Sequence, residues 1–180
     1  MIMIDVGDFF LVEPSEIYAE QIREYRQDFL DTNCSMDGCG PLRKCEDPFT
    51  YISECEKCTA QDTLPEGLVI ATQFFYVRKA DNRLVGMIQV RHYFNDYLSK
   101  FGGHIGYSIR PSEKRKGYAT SMLNAILPYC REIGLDKLLI TCIDGNIGSE
   151  KTICNNGGVY ESTVYESGKN CSLKRFWITL

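Results

Sequence analysis

Apolar residues recur along the chain at two spacings, and the switch between them marks out its elements. Phe9 to Val12 is a short apolar run that reads as a strand. Ser15 then offers an N-cap, and Tyr18, Ile22, Tyr25 and Phe29 follow at helical intervals through about Leu30, opposite a face rich in Glu, Arg and Gln. Residues 32–68 lose the pattern, with Gly38, Gly40, Pro41 and Pro65 marking loop. The exception is a short helix that Asp47-Pro48 opens as cap and first-turn proline, carrying Phe49, Ile52 and Cys55. Strands are predicted over Thr72–Lys79 and Leu84–Tyr93, joined by the turn residues Asp81-Asn82. A brief excursion over Asn95–Lys100 and the flexible Gly102-Gly103 precede a strand at His104–Ile109. Ala119, Met122, Leu123, Ile126 and Ile133 share one side of a helix that Gly134 ends, and Pro128 is expected to bend or interrupt it. The strand Lys137–Cys142, a helix capped by Asn146 and running to Gly157-Gly158, and a hairpin of Val159–Tyr165 with Leu173–Thr179 complete the order. No repeat or linker divides the pattern, so residues 1–180 are expected to form a single domain.

One stretch stands apart. Arg110 to Thr120 turns a strand into a helix with four cations (Arg110, Lys114, Arg115, Lys116) and with Gly117 where the helix begins. Helix N-termini carry unpaired N–H groups and a partial positive charge, and a glycine lets a ligand approach the backbone. Such a corner suits a phosphate or pyrophosphate. A solvated basic turn explains the same residues, and both readings stand at this point. The spacing of a Walker A loop is absent.

Composition sharpens the first reading. Apolar residues make up 44% of the chain and charged residues 24%, as in ordinary globular proteins. The net charge of -4 argues against a nucleic-acid partner and sets the basic corner apart as a place for a small anion. No long apolar run or signal-like start appears, so a cytoplasmic protein with no membrane partner is expected. Nine cysteines, an odd number, point to reduced thiols.

Lys114-Arg115-Lys116-Gly117-Tyr118-Ala119, between a strand and a helix, resembles the acetyl-CoA pyrophosphate loop of the GNAT superfamily of N-acetyltransferases, Q/R-x-x-G-x-G/A. Lys114 replaces the usual Arg or Gln, keeping charge but losing the planar fork. The element order is similar along nearly the whole chain. The resemblance implies an α/β (α+β) fold: a central mixed, mostly antiparallel sheet, helices on both faces, and splayed fourth and fifth strands. It places acetyl-CoA, the cosubstrate, along Tyr107, Ser108 and Ile109, with its pyrophosphate on Lys114, Arg115, Lys116, Gly117, Tyr118, Ala119 and Thr120. A second family motif, N-x-x-A/S, falls on Asn146 and Ser149, with Gly157 further on. Asn146 bonds the pantetheine amides, caps its helix, or does both. The tyrosine that protonates the departing thiolate in the family is replaced by Ile153, leaving water or another tyrosine to serve.

The acceptor amine must lose a proton before it attacks, so a base should reach the cleft. His104 and Asp144 are the candidates, with His92, Asp96 and the carboxyl end at Leu180 behind them. His92, in step with Ile88 and Val90, also fits a core histidine. No metal is expected: Cys55-x-x-Cys58 has ligand-like spacing, but Cys34, Cys39 and Cys45 supply no regular second pair. Small buried thiols explain the group as well. The function implied is direct transfer of an acetyl group to the amine of an acceptor: a small amine, amino acid, antibiotic or peptide. A noncatalytic acyl-CoA sensor and a zinc-bearing interaction module are the alternatives. The C-terminal hairpin edge leaves a homodimer open.

Overall fold

A computed structural model describes all 180 residues. Its centre is an eight-stranded sheet in the order β1-β2-β3-β4-β5-β6-β8-β7, antiparallel except where β5 meets β6. The strands are β1 (Met3–Val6), β2 (Phe9–Val12), β3 (Ala71–Arg78), β4 (Arg83–Arg91), β5 (Ile105–Ile109), β6 (Lys137–Ile143), β7 (Val159–Glu166) and β8 (Cys171–Thr179). The helices α1 (Ala19–Asp31) and α2 (Pro48–Lys57) cover one face, and α3 (Tyr118–Glu132) and α4 (Ile147–Asn155) the other. This is the fold class the resemblance implied.

Side-chain alternation along β3 shows why the sheet needs helices on both faces. Phe74 and Tyr76 enter the core with Met122, Leu123 and Ile126 of α3, while Phe75 and Val77 enter the one with Ile22, Tyr25 and Phe29 of α1. All four are fully buried. At about 1.5–3 kcal/mol for each large apolar side chain taken from water, these two layers supply the main driving force for folding. No helix is long and apolar enough to cross a membrane.

Several elements differ from the sequence expectation. β1 is an added edge strand that turns into β2 at Gly7, which holds φ +62°. Its residues alternate between exposed and half-buried, so it gave no apolar run to read. Ser15 makes no side-chain cap, and α1 starts only after a 3-10 turn at Glu16–Tyr18. Asp47 does cap α2, accepting from Thr50 N at 2.8 Å. Pro128 does not interrupt α3. It lies on the exposed side with Ser121 and Asn124, where water can take the carbonyl it leaves unbonded. The excursion before β5 is a π-helical turn at Leu98–Gly102 lying across β6 and β7.

Arg110 is a correction to the basic corner. It is 1% exposed, and its Nε and Nη2 donate to Asp28 at 2.6 Å and Glu24 at 3.1 Å on α1. The residue is a strut between the end of β5 and the opposite helix layer, not a cation held out to an anion.

Candidate active site

The loop after β5 is built from left-handed backbone. A 3-10 turn at Pro111–Glu113 ends β5, and Arg115 and Gly117 then take φ +64° and +81°. Gly117 occupies the N-cap position of α3 with no side-chain cap. The first bond back into the helix is Ser121 N to Gly117 O. The six successive N–H groups from Arg115 to Thr120 therefore find no acceptor in the protein. Successive N–H groups in alternating handedness form an anion-binding nest, and the helix dipole adds its positive end.

The loop's side chains contribute less than their number suggests. Lys116 Nζ is held by Glu113 at 2.7 Å, and Lys114 Nζ turns back to the Cys34 thiol at 3.5 Å. Tyr118 packs edge-on against Phe9. Arg115 has no ion-pair partner. Burial pushes the Glu113 carboxyl up, but its bonds to Lys116 and Arg78 outweigh that and hold it low.

Above the loop, β5 and β6 part. Their parallel ladder consists of one pair, Ile105 with Ile140. Arg91 N bonds His104 O and Arg110 N bonds Val85 O, each at 2.8 Å. Antiparallel pairing alternates, so Gly106 and Ser108 also direct their backbone groups to β4. Tyr107 and Ile109 direct theirs to the gap, where β6 has diverged. Ser108, grouped with them from sequence, faces elsewhere: its hydroxyl meets Tyr25 Oη at 3.1 Å and Cys39 Sγ at 3.0 Å on the α1 side.

The far wall of the gap is α4. Asn146 caps it, accepting from Ser149 N at 3.1 Å, so its side chain is already occupied in the way its position predicted. Ile153 is fully buried in the core. The hydroxyl that reaches into the gap belongs instead to Tyr107, whose Oη lies 2.8 Å from Ser149 Oγ. Burial raises the Tyr107 phenol to about 12 and the neighbouring Cys142 thiol to about 11. No local pattern joins this pair, because its members are 42 residues apart on different elements.

A sequence model described as an acetyltransferase (GNAT) domain matches residues 41–159, which include the uncapped loop, the gap and α4. The chain belongs to the GNAT acetyltransferase family. Solved structures agree in fold. The ribosomal-protein-S5-alanine acetyltransferase of Vibrio fischeri aligns at TM-score 0.74 and 15% identity, covering 99% of this chain and 97% of that one. RimL, a ribosomal L7/L12 alpha-N-protein acetyltransferase in complex with coenzyme A, aligns at 0.73 and 13%, covering 99% and 98%. The microcin C7 self-immunity acetyltransferase MccE, in complex with acetyl-CoA and AMP, aligns at 0.69 and 20%, covering 97% and 93%. At these identities the likeness concerns fold. No curated protein matches the chain in sequence.

On the α1–α2 side of this GNAT domain, a strap from the long loop closes over β5. A Cβ on Gly38 would stand 2.1 Å from the backbone C and O of Gly106, so only glycine lets the two chains meet. Gln73 Nε2 donates to Gly38 O at 2.9 Å and pins the strap. Asp37, next along, is exposed and has no ion-pair partner, and its charge acts on Tyr107, Arg91 and Lys169. Glu166 is buried beneath Tyr97, whose Oη donates to it at 2.8 Å, and its Oε2 has no partner.

The two bases expected from sequence do not suit the role. His104 is buried, and its Nδ1 accepts from Leu139 N at 3.0 Å, which leaves the proton on Nε2. Burial, then the charge of Arg91, lowers it to about 4. Its free nitrogen is a donor, so it cannot receive a proton from an amine. Asp144 is exposed and ion-paired, 3.3 Å from Lys174 Nζ, which also holds Glu150 at 2.9 Å. His92 shares a hydrogen bond with Thr72 and sits against Tyr129, as a core histidine does. No three His, Cys, Asp or Glu side chains gather into a metal-ligating group, so Cys34–Cys58 does not assemble the zinc site that its spacing left open. Cys39 and Cys55 are buried thiols.

Proposed function

We propose that this GNAT domain transfers the acetyl group of acetyl-CoA directly to an amine. The observation that carries the reading is the run of six unpartnered N–H groups from Arg115 to Thr120, at the foot of a gap walled by Tyr107, Ile109 and α4. A pyrophosphate satisfies the first feature, and an amide-bearing arm that extends β5 as an added strand satisfies the second. The acetyl-CoA and coenzyme A named for MccE and RimL, which share the fold, support the same donor here.

In this arrangement Lys114 to Thr120 hold the diphosphate, chiefly through backbone. Tyr107 and Ile109 offer N–H and C=O groups to the arm. The amine nitrogen attacks the thioester carbonyl carbon, the C–N bond forms, and the C–S bond breaks as the intermediate collapses. The departing thiolate takes a proton from the Tyr107–Ser149 hydroxyl pair, which stands in for the tyrosine that Ile153 replaces. The pair recovers it through water from the second proton that the attacking nitrogen sheds as the amide forms. Asp37 draws the acceptor's ammonium to the gap and takes its proton, directly or through water.

Two steps test this. Calorimetric titration with coenzyme A should show binding, and a panel of amines with acetyl-CoA should release free thiol. Asp37→Asn should keep coenzyme A affinity and lose about 10²–10⁴-fold in turnover, the usual span for a general base. No binding of coenzyme A refutes the reading. Binding without turnover of any amine would favour the acyl-CoA sensor.

A further inference from the structure

Three arginines in this chain set the Nε/Nη2 edge of the guanidinium against acceptors. Arg78 grips both oxygens of Asp81 at 2.9 and 2.6 Å. Arg110 places the same edge on Asp28 and Glu24. Arg26 places it on the carbonyls of Leu42 and Arg43, both at 3.2 Å. Arg91, at the end of β4, is different. Its Nη1 donates to Gly102 O at 3.2 Å and Gly103 O at 3.3 Å, which anchors the plane of the group. Its Nε and Nη2 meet no acceptor in the protein, and no carboxylate lies within ion-pair distance. Asp37 acts on it only through space.

This bare edge lies beside the proposed chemistry. A Cβ on Gly106 would stand 3.2 Å from Arg91 Nη2 and 3.0 Å from the Gly38 backbone, so the guanidinium and the strap share the space above Gly106. Tyr107, with its backbone turned to the gap, is the next residue. Burial pushes the Arg91 pKa down, yet the residue is only partly buried and its bare nitrogens stay open to solvent, so a ligand can reach them. A cation whose plane is fixed by two carbonyls and which has no countercharge is set to take one group of the opposite sign. The edge that is free is the one that takes two oxygens side by side.

We propose that the Nε/Nη2 edge of Arg91 receives an oxyanion, carboxylate or phosphate, carried by the acceptor near its amine. The inference rests on the acetyl-transfer reading and narrows it. With Asp37 on the ammonium and Arg91 on the oxyanion, the acceptor is a zwitterionic amine rather than a polyamine or a neutral one.

The test uses ligands that resemble the acetylated product, so that differences in amine basicity play no part. The protein is first shown to bind coenzyme A. The loaded protein is then titrated with N-acetylglycine, its carboxamide, and the phosphate monoester of N-acetylethanolamine beside the parent alcohol. At least one anion should bind ten or more times tighter than its neutral partner, and the better anion tells carboxylate from phosphate. Arg91→Gln should cut that preference below about threefold, and Arg91→Lys should keep part of it, because a lysine retains the charge without the fork. Equal binding of anion and neutral ligand by the wild type overturns the inference whatever the variants do, and so does a preference that survives in Arg91→Gln. Failure at the coenzyme A step is a separate result, and it removes the transferase reading together with this one.

Discussion

Gly117→Ala separates the nest from the helix that follows it. Gly117 holds φ +81°, and an added Cβ would meet nothing within 4 Å, so the substitution carries no clash. What remains is the left-handed backbone, which costs a residue with a Cβ about 1–2 kcal/mol. For a chain of this length that corresponds to a fall in Tm of about 2–8 °C without ligand. If the loop relaxes to avoid the strain, the N–H groups no longer converge. Loss of one charge-assisted hydrogen bond then weakens coenzyme A binding by about 1.5–3 kcal/mol, more than tenfold. Gly134 provides the control: it ends α3 at φ +87°, again with nothing within 4 Å, and lies at the opposite end of that helix. Gly134→Ala should lower the unliganded Tm by a similar amount and leave coenzyme A affinity unchanged. Thermal unfolding and calorimetric titration of both variants supply the four numbers needed. If both variants lose stability and bind coenzyme A alike, the diphosphate is not held where we place it.

Three further perturbations have defined outcomes. Gly38→Ala puts a Cβ 2.1 Å from the Gly106 backbone at φ +69°, so the strap must lift; chemical denaturation should show a loss above about 3 kcal/mol, and a loss under 1 would mean the strap does not seat there. Tyr107→Phe and Ser149→Ala should each slow thiol release with little change in the KM for acetyl-CoA, and an unchanged kcat in both would remove the pair from the mechanism. His104, lowered to about 4 from an ordinary 6.5, binds fewer protons folded than unfolded between those values. Stability should therefore be full above pH 6.5 and decline as pH falls toward 4, by at most about 3 kcal/mol. His104→Gln should flatten that slope, and an equally steep slope in the variant would place its cause elsewhere.

Signals carried by neighbours in sequence were legible, and those carried by distant partners were not. Apolar spacing, the Asp47 and Asn146 caps, and Gly117 at a strand-to-helix corner each depend on a few adjacent residues, so the fold and the loop could be read from them. The same local reading counted Arg110 with the loop cations, because its carboxylate partners lie 82 and 86 positions earlier on α1. It also preferred His104 as the base. The type of residue suggested a proton acceptor, whereas the Leu139 amide that occupies its accepting nitrogen is 35 positions away. Asp37 and Gly38 lay in the least regular part of the chain, and only the close approach of Gly38 to Gly106 brings them onto β5.

Arg91 is the extreme case, since its distinguishing property is a partner it lacks. A sequence displays which charges a chain has, and pairing is decided only after folding. By then Arg78 and Arg110 have each found carboxylates, while Arg91, close to both in chemistry, has been held by two glycine carbonyls with its better edge turned away from every acid. The strap glycine and the end of the π-helical turn hold it there, over Gly106. Asp37, which acts on Arg91 through space and is itself exposed and without an ion-pair partner, is not within ion-pair distance of that free edge. On the proposed reading, an amine bearing its own oxyanion would answer both the bare edge of Arg91 and the unpaired charge of Asp37.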